Sequence, residues 1–182
     1  MGFHSLLSPS ILVLFFIFLT SSSSEVTKPI KLVDNICKKT SNYTFCVDTL
    51  YSDSRVGSPD TDSYLLGYVS FGLAYINATT TSSQIPVLLK NANTQKNASL
   101  QHALQQCHRY YKKAVSAIEE AYNDLNSDTY SNLISLAKVA SDSASDCEGS
   151  FNGTVKPYPL TERNNGLRRL CEICVVVSKL FT

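Results

Sequence analysis

Six cysteines constrain this chain more than any other residue type: Cys37, Cys46, Cys107, Cys147, Cys171 and Cys174. The first two bracket CKKTSNYTFC, a short polar segment with the sequon Asn42-Tyr43-Thr44 in its middle. A pair of this kind suits a metal clip, a redox site or a disulfide staple on a secreted domain. Zinc fares poorly, because the pair lacks the spacer of roughly two to four residues found in zinc knuckles, and no histidine stands near it.

The first residues bear on the compartment. MGFHSLLSPSILVLFFIFLTSSSSEV has an apolar run from Ile11 to Leu19 followed by Ser21 to Ser24, the layout of a secretory signal peptide. The run falls short of the roughly 20 residues that span a bilayer. Residues 1–24 are therefore expected to be a signal peptide cleaved near Ser24, and residues 25–182 a single soluble domain outside the cytosol. In that setting paired cysteines form disulfides, and the sequons at Asn42, Asn77, Asn97 and Asn152 make a glycoprotein.

Lys and Arg number 16 against 15 Asp and Glu, for a formal charge of +1. That balance excludes the strongly basic footprint of a nucleic-acid binder. The doublets Lys38-Lys39, Lys112-Lys113 and Arg168-Arg169 read as solvated faces.

With 7 Gly, 6 Pro and no Trp, the composition favours helices over a turn-rich β fold. The clearest helix runs from about Ser99 to Leu125, with Leu100, Leu104, Cys107, Tyr111, Ala114, Ile118, Ala121 and Leu125 recurring at three- and four-residue steps. A second is predicted from Tyr130 through Leu133, Ala137, Ala140 and Ala144 to Cys147, with Ser127 or Asp128 as its start signal. A third carries Leu167, Leu170, Cys171, Cys174 and Val177, with Thr161 as N-cap. A fourth occupies about Thr61 to Ala78; beyond it the polar, β-branched stretch TTTSSQIP contains Pro86, which predicts a break there or a kink before Val87. Pro29 to Ser54 reads as a small helical hairpin ahead of them. Short connections then give an all-α up-and-down four-helix bundle preceded by that hairpin.

Cys107 and Cys147 lie on the apolar stripes of successive helices, at similar distances from the turn near Asn126. Antiparallel packing lets them face each other, and a bridge there would stabilise by roughly 3 to 4 kcal/mol through the unfolded state. Cys171 and Cys174 fall within a helix that is apolar on most sides, where buried reduced thiols fit better than a redox pair.

Catalytic machinery is not evident. His102 and His108 do not share a helix face, and Cys107 and His108, as sequence neighbours, point about 100° apart on a helix. Glu119 and Glu120 diverge likewise and read as solvent-facing charge. No G-x-S-x-G, phosphate loop or H-E-x-x-H occurs. No cofactor or metal is implied, and the chain reads as a non-enzyme.

The segments ICKKTSNYTFCVDTLYSDSR at 36–55, LQQCHRYYKKAVSAIEEAYNDL at 104–125, ASDSASDCEGSF at 140–151 and NNGLRRLCEICVVVSKLF at 164–181 resemble the plant invertase and pectin methylesterase inhibitor family, with the style of its pollen-type invertase-inhibitor branch. The resemblance implies a four-helix bundle behind a helical hairpin, with Cys37 bridged to Cys46 and Cys107 to Cys147. It also implies that Cys171 is free, while Cys174 departs from the family's usual pattern.

The function implied is 1:1 protein inhibition of a plant enzyme in the cell wall or vacuole, with no nucleic-acid or membrane partner. Pectin methylesterase is the leading target. Acid invertase, a cell-wall or vacuolar β-fructofuranosidase, is the alternative, and a secreted helical-bundle glycoprotein with no enzyme target is a third reading. In the invertase branch a Pro-Lys-Phe motif enters the sugar pocket. The corresponding turn here, NSDTYSN at 126–132, lacks it, and its Tyr130 is expected to start the next core stripe. Helix faces bearing Arg109, Tyr110, Lys113, Glu120, Asp124 and Lys138 are the interface candidates, away from the sequons.

Overall fold

A computed structural model describes residues 30–154 and 156–181. The expected signal peptide, residues 1–24, lies outside the described residues. Among those described there are six helices and no strand: α1 (Lys31–Cys37), α2 (Tyr43–Tyr51), α3 (Ser63–Thr94), α4 (Ala98–Asn126), α5 (Leu133–Gly149) and α6 (Thr161–Ser178). The last four form the bundle, in which α4 packs between α3 and α5, and α6 closes the ring against α5 and α3. The short helices α1 and α2 form the hairpin, seated against α3 and α6.

Periodicity and caps explain the bundle helices. On α4 the residues Leu104, Cys107, Tyr111, Ala114, Ile118, Ala121 and Leu125 are buried, and Arg109, Lys113 and Glu120 are exposed. An amphipathic helix of this kind is stable only with its stripe covered. Side-chain oxygens meet orphan amides at three helix starts: Asn42 Oδ1 accepts the Phe45 N–H at 3.0 Å, Asp62 Oδ1 that of Leu65 at 2.8 Å, and Asn97 Oδ1 that of Leu100 at 3.1 Å. Each such cap stabilises its helix by about 1 kcal/mol.

Both disulfides form. Cys37–Cys46 closes the hairpin, and Cys107–Cys147 ties α4 to α5 with Cα atoms 4.4 Å apart. Cys171 and Cys174 are unbridged and buried in α6. Desolvation raises the Cys174 thiol to about 12 and lifts Cys171 well above its ordinary value. Such thiols pack as small hydrophobes and do not react as thiolates.

Three expectations are corrected. First, α3 does not end near Ala78 or break at Pro86; it runs unbroken to Thr94 with Pro86 inside it. Pro86 stands on the solvent side, and Ala78, Thr81, Ile85 and Ala92 are buried on both sides of it. The apolar contact of Ile85 and Ala92 with the bundle holds the helix together despite the hydrogen bond that proline removes.

Second, α5 begins at Leu133, not Tyr130, and neither Ser127 nor Asp128 caps it. Ser127 terminates α4, where its N–H meets the Asn123 carbonyl, and Asp128 takes a left-handed φ of 53° in the turn. Tyr130 is drawn out of helical register because its ring stacks on Phe181, with centroids 4.7 Å apart.

Third, Thr161 is the first residue of α6 and not its N-cap; the cap position is Leu160, which makes no side-chain cap bond. The Thr161 hydroxyl donates to Glu148 Oε1 at 2.6 Å, so its hydrogen bond joins α5 to α6.

Candidate functional site

Helical geometry at about 100° per residue places Arg109, Lys113, Glu120 and Asp124 within an arc of roughly 60° on α4. The first three are exposed, and Asp124 is half-buried, with its Oδ2 buried and without a hydrogen bond. Tyr110 turns into the bundle and packs, partly buried, against the core. Lys138 is exposed on α5, opposite that helix's buried stripe, and shares a side with Ser141, which lines a cleft against α6. Four of the six candidates therefore make one charged edge, and Tyr110 and Lys138 do not extend it.

At the α3–α4 seam, on the other flank of α4 from that edge, lies a feature the sequence reading did not pick out. Tyr64, Tyr68 and Tyr75 share one face of α3, and Tyr122 of α4 closes the row between Tyr68 and Tyr75. The ring centroids follow one another at 5.0, 5.9 and 6.4 Å, mostly edge to face, the favoured arrangement for aromatic pairs. Each hydroxyl has an acceptor: Tyr64 donates to the Leu125 carbonyl, Tyr68 to Asn126 Oδ1, Tyr75 to Glu119 Oε1 and Tyr122 to the Tyr68 carbonyl. Bonding to Glu119 raises the Tyr75 phenol above its ordinary value, and burial does the same for Tyr122. The spacing of the three α3 tyrosines is visible in the sequence, but their pairing with Tyr122 is not.

The turn at 126–132 ends this row. Its aromatic side chain is folded down: Tyr130 stacks on Phe181, and its hydroxyl donates to Asp128 Oδ1 at 2.6 Å. What the turn offers to solvent is Asn126, Ser127, Asp128, Thr129, Ser131 and Asn132. All four sequons lie elsewhere. Asn97 and Asn152 are at the opposite end of the bundle, Asn42 caps α2 in the hairpin, and Asn77 is inside α3, half-buried beside Gly166.

His108 is half-buried in the α3–α4 groove, and desolvation followed by the charge of Lys112 lowers its pKa. His102 is exposed on another face. Among the described residues no group of three His, Cys, Asp or Glu could hold a metal, and no helix is long and apolar enough to cross a membrane.

Residues 31–177 match the family model described as plant invertase/pectin methylesterase inhibitor. The chain belongs to that family. Among relatives of this inhibitor family, a pectinesterase inhibitor from Actinidia deliciosa is 33% identical over 97% of this chain and 94% of its own length. A cell wall / vacuolar inhibitor of fructosidase 2 from Arabidopsis thaliana is 29% identical over 92% of this chain and 94% of its own. The fold of the family is seen in the crystal structure of a mutant form of an Arabidopsis pectin methylesterase inhibitor, with a TM-score of 0.71 and 21% identity, covering 81% of this chain and 95% of the other. The family is one of inhibitors rather than catalysts, and both target names occur among these relatives.

Proposed function

We propose that the chain is a secreted inhibitor of pectin methylesterase that binds its target as a 1:1 protein complex in the cell wall. The observation that carries the choice of target is the turn at 126–132. It has no Pro-Lys-Phe, and its aromatic residue lies against Phe181, so it has no side chain poised to enter a sugar pocket. The identity with the Actinidia pectinesterase inhibitor supports the same reading. The charged α4 edge of Arg109, Lys113, Glu120 and Asp124 is the contact surface.

The second reading, inhibition of acid invertase in the wall or vacuole, draws support from the Arabidopsis fructosidase inhibitor. Titration of both purified enzymes with the recombinant chain decides between them. Loss of esterase activity at about micromolar inhibitor, with invertase unaffected, is expected. Loss of invertase activity alone transfers the function to the second reading. If neither enzyme is inhibited, the chain is a glycoprotein with no such target. Reversing charge with Arg109→Glu and Lys113→Glu is expected to weaken the complex more than tenfold without altering the fold.

A further inference from the structure

The doublet Arg168-Arg169 forms no ion pair with any described residue. Asn165, Arg168, Arg169 and Glu172 stand at i, i+3, i+4 and i+7 on α6 and so share one face. Both arginines are exposed and the other two are half-buried. With Ser41 of the hairpin turn and Ser141 of α5 they line a cleft of about 440 Å³ whose lining residues are all polar.

The acidic member of that lining is already engaged. Glu172 accepts the Ser41 N–H on Oε1 at 2.8 Å and the Ser41 hydroxyl on Oε2 at 2.6 Å. Its carboxylate fastens the hairpin to α6 and makes no ion pair with either guanidinium. Arg169 leans over the Phe45 ring, 5.5 Å from its centroid, which limits its side-chain freedom. Arg168, about 100° round the helix, takes the other side of the face. Lys39 stands two positions before Ser41 and Lys138 three before Ser141, and both are exposed, as are the acids Asp142 on α5 and Glu162 on α6.

We propose that this cleft binds an acidic saccharide through its carboxylates, and that the ligand is a de-esterified polyuronide chain. Two unpaired guanidinium forks match carboxylates in bidentate geometry. Ser41, Ser141 and Asn165 surround them with groups that suit sugar hydroxyls, and the volume lies in the range of small-ligand pockets. With no apolar lining residue, the cleft has little to offer a hydrophobic ligand. The choice of polyuronide among acidic saccharides rests on the proposed target, because hydrolysis by a pectin methylesterase leaves free carboxylates on polygalacturonate; the recognition of a carboxylated sugar does not. An inhibitor holding that product would be retained where its enzyme has worked.

Calorimetric titration of the full secreted chain tests this without any enzyme present, so its outcome is read separately from the inhibition assay. The probes are de-esterified oligogalacturonate, the same oligomer fully methyl-esterified, and inorganic phosphate. Binding to the first alone is expected, with affinity lowered about tenfold by Arg168→Gln and further by Arg168→Gln with Arg169→Gln. Lys90→Gln with Lys112→Gln, which removes the same charge from exposed positions on α3 and α4, is expected to leave it unchanged. No binding, equal binding of the methyl-esterified oligomer or of phosphate, or an equal loss in the Lys90 and Lys112 control would each overturn the proposal.

Discussion

The Tyr111 hydroxyl donates to Asn164 Oδ1 at 2.8 Å in the interior of the bundle, where both residues are fully buried. The Asn164 amide donates in turn to Glu148 Oε2 at 2.6 Å, and the other oxygen of Glu148 accepts from Thr161. The network thus joins α4, α5 and α6 close to the Cys107–Cys147 bridge. Burial is the main cause of the raised Tyr111 pKa, which keeps the phenol a donor at any physiological pH.

Because a buried polar group left unpaired costs about 1–3 kcal/mol, Tyr111→Phe is expected to destabilise the protein by that amount. Asn164→Ala, which strands both Tyr111 and one oxygen of Glu148, is expected to cost more. Urea denaturation of the disulfide-intact protein checks both, and a Tyr111→Phe midpoint equal to wild type would remove the network from the account of stability.

Gly72 and Tyr122 are coupled. A Cβ at Gly72 would lie 2.6 Å from the Tyr122 hydroxyl, which donates to the Tyr68 carbonyl at 3.0 Å. Gly72→Ala therefore forces the ring to shift and breaks that bond, and a loss of about 1 kcal/mol is expected. In a Tyr122→Phe background the obstructing oxygen is gone. There the same Gly72→Ala change should stabilise, by up to about 1 kcal/mol, through helix propensity. A double-mutant cycle in thermal unfolding shows the change of sign or refutes it.

The sequons should differ in occupancy. Asn42 and Asn97 cap their helices through Oδ1, which leaves Nδ2, the atom that carries a glycan, unused by the cap. Asn152 is exposed. The Nδ2 of Asn77 instead packs at Gly166, where an added Cβ would stand 3.1 Å away, and its Oδ1 is buried. Glycopeptide mass spectrometry of protein secreted from a glycosylating host is expected to find sugar at Asn42, Asn97 and Asn152 and bare Asn77. A glycan on Asn77 of the folded protein contradicts this. Thr44→Ala should remove the Asn42 glycan and keep the cap, whereas Asn42→Ala should lose the cap as well, at about 1 kcal/mol.

His108 makes stability pH-dependent in a defined direction. Its folded pKa is lowered, first by desolvation and then by Lys112, so below its ordinary value of 6.5 the unfolded chain binds the proton more readily. Stability is then full above that value and falls as pH drops through and below it. The melting temperature of His108→Gln should accordingly decline less than that of wild type between neutral pH and the acidic range of a cell wall. An equal or steeper decline in the variant rules this contribution out.

The proposed interaction surface was partly legible in the sequence. Arg109, Lys113, Glu120 and Asp124 share an edge because they share one long helix, and helical periodicity alone fixes that. Lys138 could not be placed relative to them, since its side of α5 depends on how two helices face each other. The row of Tyr64, Tyr68 and Tyr75 is a spacing on α3, but it becomes a continuous aromatic surface only when α4 inserts Tyr122.

The sequence alone determined the helical bundle and the hairpin, because periodic burial along successive helices is a local quantity that short connections turn into neighbours, and its resemblance to the inhibitor family implied both disulfides. Tertiary structure decided that α3 continues through Pro86, that α5 waits until Leu133, and that Arg168 and Arg169 face a polar cleft and not merely solvent. Each depends on a contact between residues distant in the chain: Ile85 and Ala92 with the bundle core, Tyr130 with Phe181, and Ser41 with Glu172. Local propensity carries no information about such contacts, and packing energy outweighs it where they form.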